Sequence, residues 1–203
     1  LKNRRSFPFL LYLPALFIHD DISQLQDAIR IREALHPGTT SVDEDGTLRV
    51  GEAPAAGENN VIKYTYGVGL MHLPAFAIAH GISSFSQQEA NGYSAHYLIA
   101  IYLSTIAYVL LGLWLIALIL LNRFPRKQVL LVICILGLST NLFYFSTINN
   151  GMAHPQLFFL WALLIYLSER YFKKSSWLLF TAIGAVVGLI TVIRPVEFIC
   201  VAI

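Results

Sequence analysis

Long apolar runs separated by short polar turns set the pattern of this chain, and run length decides what each run is. Tyr97 to Leu121 is uncharged and rich in Leu and Ile. A helix rises about 1.5 Å per residue, so ~20 apolar residues cross a hydrocarbon core about 30 Å thick, and this run is long enough. It ends on the basic turn Asn122-Arg-Phe-Pro-Arg-Lys127. Gln128 to Ile148 and Met152 to Ser168 follow, joined by a polar turn around Asn149-Asn150-Gly151; Ser175 to Ile193 comes after the basic cluster Glu169-Arg-Tyr-Phe-Lys-Lys174. A membrane strand would need only about 10 residues of alternating polarity, so these runs predict helices. Basic turns mark the cytoplasmic side, which places the Asn149–Gly151 turn outside and Arg194-Pro195 at the outer end of the fourth helix.

The first hundred residues follow a different pattern. Asp20 to Lys63 holds nine of the twelve acids, against Arg30, Arg32, Arg49 and Lys63, and is Gly/Pro-rich from Pro37 to Gly57. It reads as a soluble external loop. Ile22, Leu25, Ala28 and Ile29 at helical spacing predict a short amphipathic helix over 22–34, and Asp45-Gly46 between Val42 and Leu48-Val50 predicts a small hairpin. Tyr66 to Ile82 is apolar but interrupted by Gly67, Gly69 and Pro74, with His72 and His80; it is expected to lie in the membrane interface, as is Phe7 to Ile18 with Pro8 and Pro14. The predicted fold is therefore all-α and polytopic. An external loop region, 1–95, carries juxtamembrane helices at about 7–18, 22–34 and 66–82; a transmembrane region, 96–203, has helices at about 97–121, 128–148, 152–168 and 175–193.

Composition agrees: 56% of residues are hydrophobic, only 13% are charged and the mean hydropathy is +0.62, against roughly 25% charged in soluble domains. Lys2, Arg4 and Arg5 ahead of an apolar stretch imitate a signal peptide, but His19-Asp20-Asp21 stands where small cleavage-site residues belong. Leu1 is not an initiator methionine and 198–203 stop inside an apolar run, so the sequence reads as a fragment. Cys134 and Cys200 have no metal, redox or disulfide spacing and read as packing residues. No phosphate-cradling glycine loop is present, and bases gather only at cytoplasmic turns, so nucleic acid is not an expected partner.

Ionisable residues at the membrane edge are the candidates for chemistry. His154 could hold a phosphate or a sugar hydroxyl, donating from one ring nitrogen and accepting at the other, or could simply cap a helix beside Pro155. Arg194 suits bidentate bonding to a phosphate, or pairing with Glu197 three residues on. Asp20 and Asp21 could act as general base or hold a divalent metal, the one cofactor the sequence leaves open; their bland role is to start the following helix. Lys63 and Tyr64 could bind an anionic substrate or anchor the chain at the interface.

Tyr12-Leu-Pro-Ala-Leu-Phe-Ile-His-Asp20, Lys63-Tyr-Thr-Tyr-Gly67 with His72-Leu-Pro-Ala-Phe76, Asn91-Gly-Tyr93, Met152-Ala-His-Pro155 and Arg194-Pro195 together resemble bacterial membrane glycosyltransferases of the GT-C fold, in the dolichyl-phosphate-mannose mannosyltransferase-like and RgtA/B/C/D-like group. The resemblance implies an enzyme of the bacterial cytoplasmic membrane that moves a sugar from a polyprenyl-phosphate carrier to a lipid, glycan or protein acceptor at the outer face, with residues 20–63 external. It also implies an acidic base in the first outer loop. No acid precedes Asp20 here, so Asp20 or Asp21 fills that role or the carboxylate lies upstream of residue 1. Arg194, Lys63 or His154 would then stabilise the departing phosphate. The competing expectation is a non-enzymatic transporter or flippase subunit, in which the outer polar residues line a path. Such proteins carry polar or broken helices at the membrane midplane; here Asn141 with Ser139 and Thr140 is the one midspan polar cluster of note, and it could mark such a path or equally be a helix-packing contact.

Overall fold

A computed structural model describes residues 12–19, 41–42, 48–49, 66–85, 90–149, 152–197 and 199. Apart from one two-stranded pairing, the regular structure among these residues is helical: α1 (Gly67–Phe85), α2 (Ala95–Leu121), α3 (Arg126–Leu138), α4 (Asn141–Thr147), α5 (His154–Lys173) and α6 (Trp177–Ile193), with a π-helical turn at Ala15–His19 and a 3-10 turn at Pro195–Glu197. The antiparallel pairing joins β1 (Ser41–Val42) to β2 (Leu48–Arg49), with Val42 opposite Leu48, where the Asp45-Gly46 signal predicts a hairpin. The helix predicted over 22–34 lies outside the described residues, as does Cys200; Cys134 is a free, exposed thiol. The chain divides into two compact units, Leu1–Ile101 and Tyr102–Ile203, with the boundary inside α2.

In the first unit, Leu13, Phe76, Ala79 and Tyr97 form a core, joined by Ile18, Leu73 and Ala100. This core brings the turn after residue 12 against α1 and the start of α2. Contrary to the broken element expected over 66–82, α1 runs without interruption through Pro74 to Phe85. A proline removes one N–H from the ladder without removing the apolar packing on either side of it; Phe76 and Ala79 are buried just beyond it. The 19-residue α1 is long and apolar enough to cross a membrane.

The second unit is built from α2, α3, α4 and a hairpin of α5 and α6. Helix α2 approaches α5 closely at Gly112, where a Cβ would stand 2.7 Å from the Phe158 ring, and Tyr108 packs on Phe159 with ring centroids 5.3 Å apart. Helix α5 extends to Lys173, five residues past its predicted end. The cluster read as a turn is its last helical turn, held by Lys173–Glu169 at 3.1 Å and Arg170–Tyr166 at 2.7 Å, both i,i+4. Such pairs and C-terminal cations favour continuing the helix.

The run at 128–148 is not one straight helix. It splits into α3 and α4, bent by 56° at Ser139-Thr140. Thr140 Oγ1 donates to Leu136 O at 2.7 Å, ending α3, and accepts from Leu142 N at 3.2 Å, capping α4. Of the two roles open to the polar cluster, the structure shows a break in the run. Thr140→Ala is expected to cost about 1 kcal/mol, the usual worth of an N-cap, read as a lower unfolding midpoint in detergent, whereas Thr140→Ser should stay near the parent.

By length and composition, α1 and α2 can each cross a membrane, and the bent α3–α4 pair adds a third crossing if taken as one span; α6 is apolar but has 17 residues. Leu103 at 62% exposure and Leu130 at 66% leave broad apolar helix faces uncovered, which a folded surface in water rarely tolerates over such an area.

Candidate functional site

Two of the six candidates lie within the described residues, and both belong to the second unit. Asp20, Asp21, Lys63 and Tyr64 lie outside the described residues. The short connection between α5 and α6 makes the pair antiparallel, so the start of α5 and the end of α6 share one end of the hairpin. His154 opens α5 and Arg194 closes α6. Thirty-nine positions separate them in the sequence, yet the charges of Arg194 and Glu197 both act on the His154 ring.

Local chemistry explains each placement. The residue before a proline is driven out of helical geometry, and Arg194, at φ −150° and ψ 95°, is extended as Pro195 requires. Its N–H still closes α6 on Ile190 O at 2.9 Å, after which Glu197 N donates to Arg194 O at 2.9 Å across the 3-10 turn. That turn carries the carboxylate back, and Arg194 Nη1 donates to Glu197 Oε1 at 3.3 Å. The expected pairing therefore forms, but through a 3-10 turn and not on a shared helical face. His154 is likewise not a cap: Ala153 holds that position, and the His154 ring lies against Phe145 of α4 with centroids 4.3 Å apart. Phe145 is a member of the cluster that spacing alone did not identify, because the turn between α4 and α5 is what brings it back.

This end of the hairpin suits an anion. The guanidinium has five N–H donors, the Glu197 contact is made by Nη1, and the Arg194 side chain is 53% exposed. Exposed ion pairs are worth about 1 kcal/mol or less, so little energy ties the guanidinium to Glu197. The N-terminus of α5 adds positive potential at the same end.

The first unit gathers the remaining motif segments. Tyr12 meets Tyr66 edge to face at 5.6 Å, Pro14 lies against Gly92, and His19 Nε2 contacts Asn91 O at 3.3 Å while its ring stacks on Tyr93 at 6.5 Å. Asn91 Oδ1 accepts from Tyr93 N, Ser94 N and Ser94 Oγ, forming the turn that starts α2. Two side-chain pairs that sequence reading missed tie α1 to α2: His80 Nδ1 with Tyr97 Oη at 2.8 Å, and Ser83 Oγ with His96 Nε2. Ser83 Oγ also donates to Ala79 O at 2.8 Å. These pairs read as polar cross-links. Among the described residues no three His, Cys, Asp or Glu side chains come together as a metal set.

Comparison with protein-family models, with curated proteins and with solved structures finds no match to this chain. The local geometry therefore stands alone: an exposed Arg194 paired with Glu197, and His154 against Phe145, at the end of the hairpin remote from its basic turns.

Proposed function

We propose that this chain is part of a polytopic membrane glycosyltransferase that transfers a sugar from a polyprenyl-phosphate donor to a lipid, glycan or protein acceptor at the outer face of the bacterial cytoplasmic membrane. The observation that carries the reading is that His154 and Arg194 share one end of the α5–α6 hairpin, with the basic turns at the other. Under the positive-inside rule that end is external, where Arg194 would bind the donor phosphate and stabilise the charge it gains as the sugar leaves. His154 would hold a phosphate oxygen or a sugar hydroxyl, with Phe145 fixing its ring. A carboxylate, Asp20 or Asp21 or one upstream of residue 1, would take the proton of the acceptor hydroxyl as that oxygen attacks the anomeric carbon. Arg194 neighbours Glu197, and no step requires that residue to react.

One observation favours a second reading. The 56° break at Ser139-Thr140 is the type of interrupted helix that lines substrate paths in transporters, so a transporter or flippase subunit is the alternative. Membranes carrying the full-length protein, supplied with radiolabelled sugar on polyprenyl phosphate, separate the two. The transferase reading expects label in an acceptor extractable from the membrane. Failure with every donor tested, together with movement of a lipid or solute across the bilayer, would replace it with the transport reading.

A further inference from the structure

We infer that the other end of the second unit, where the basic turns meet, is a binding site for the headgroup of an anionic phospholipid. Between residues 102 and 193 the chain has six Lys and Arg residues, all at the two basic turns, and a single acid, Glu169. The fold brings the two turns together: Arg123, from the turn between α2 and α3, reaches Glu169 of α5 at 3.7 Å, and Lys173 reaches the same carboxylate oxygen at 3.1 Å. One carboxylate thus serves two cations and leaves an excess of positive charge around it.

Two grooves flank Glu169. The larger, about 570 Å³, is lined by the apolar Leu164, Ile165 and Phe172 together with the cations Arg123 and Lys173. The smaller, about 350 Å³, is more polar and lies among Asn122, Tyr166, Arg170 and Lys174. Arg170 is already positioned there, donating from Nη2 to Tyr166 Oη at 2.7 Å with its guanidinium 5.1 Å from the ring centroid. That leaves further N–H donors for a phosphate. A lining that mixes apolar side chains with cations matches a molecule with acyl chains and a phosphate, whereas a soluble anion would use the cations alone. Phe172, in the lining of the larger groove, is 87% exposed, and Trp177, which opens α6 at the same end of the hairpin, is 78% exposed, as aromatic side chains are at the level of lipid headgroups. The inference rests on the membrane reading of this unit but not on sugar transfer, since none of these residues belongs to the Arg194 end.

The test uses the full chain reconstituted in mixed lipid, with Trp114→Phe and Trp161→Phe leaving Trp177 as the reporter. Phosphatidylglycerol brominated near the headgroup should quench Trp177 more strongly than equally brominated phosphatidylcholine, with a preference of about five-fold or more, as expected when even one cation engages the anionic headgroup. Combined Arg170→Gln, Lys173→Gln and Lys174→Gln should bring the preference to parity, and Glu169→Gln should raise it by freeing Arg123 and Lys173. Helical dichroism checks each variant; if the triple variant misfolds, Lys174→Gln alone should still lower the preference. Equal quenching by the two lipids in the parent, an unchanged preference in the neutralised variants, or relief of quenching by millimolar glycerol 3-phosphate would each overturn the assignment. Carbonate extraction of membranes separates the causes: a chain released by carbonate overturns the membrane reading as well, whereas a retained chain with equal quenching overturns only the lipid site.

Discussion

Arg194→Ala is expected to lower sugar transfer by about 10²–10³-fold, the range seen when one donor to a developing oxyanion is removed. The guanidinium is exposed, held by the Pro195 turn and at the same end of the hairpin as His154. Its loss removes charge and donors together, so the effect should fall mainly on the rate at saturating donor and less on donor binding. Arg194→Lys keeps the charge but loses the fork, and should recover only part of the rate. Glu197→Gln is the decisive companion. It breaks the same 3.3 Å ion pair while sparing the guanidinium, and an exposed pair contributes little to stability, so transfer should stay within a few-fold of the parent. Equal losses in Arg194→Ala and Glu197→Gln would mean that the pair shapes the turn and that Arg194 does not meet the phosphate.

The legibility of this arrangement differs from residue to residue for physical reasons. Helices α2 and α6 could be read directly, because an uninterrupted apolar run of that length has few other ways to satisfy its backbone in an apolar surrounding. The break between α3 and α4 could not: the run from Gln128 to Ile148 is apolar on average, and whether Thr140 packs between helices or caps one depends on a single backbone geometry, extended at φ −111° and ψ 171°. Helix α1 posed the opposite problem, since Pro74 signals a break that core packing on both sides overrides. Glu169 to Lys174 was read as a turn because charges punctuate spans, yet at i,i+4 spacing the same charges lengthen a helix. At the candidate site, Arg194 was visible as an Arg at a membrane edge and His154 as a polar residue after a turn. That they share one end follows from the α5–α6 hairpin. Phe145 and the His80–Tyr97 and Ser83–His96 pairs gave no local signal, because each depends on elements brought together only by folding.

Gly92→Ala is expected to destabilise the first unit by about 2–5 kcal/mol, and transfer should fall with it. Gly92 has φ +81°, in the left-handed region, where an L side chain costs roughly 1–2 kcal/mol. Independently, the added Cβ would stand 2.6 Å from Pro14 Cβ, 2.7 Å from Pro14 Cγ and 3.1 Å from Ile18 Cδ1. Pro14 is a ring within a fully buried segment and cannot swing aside as a flexible side chain would, so overpacking adds roughly 1–3 kcal/mol. The control is Gly81→Ala. Gly81 lies inside α1 with nothing within 4 Å of a built Cβ, and alanine there should stabilise the helix by about 1 kcal/mol. Opposite signs for the two changes, read from unfolding midpoints in detergent, would show that close packing at the Asn91-Gly92-Tyr93 turn, and not glycine content, sets the cost. The local consequence runs through His19, which contacts Asn91 O and stacks on Tyr93, so a displaced turn loosens both segments together. Hydrogen exchange should then report loss of protection over residues 12–19 and 91–97. Protection intact at both segments would mean that the turn absorbs the added methyl without moving.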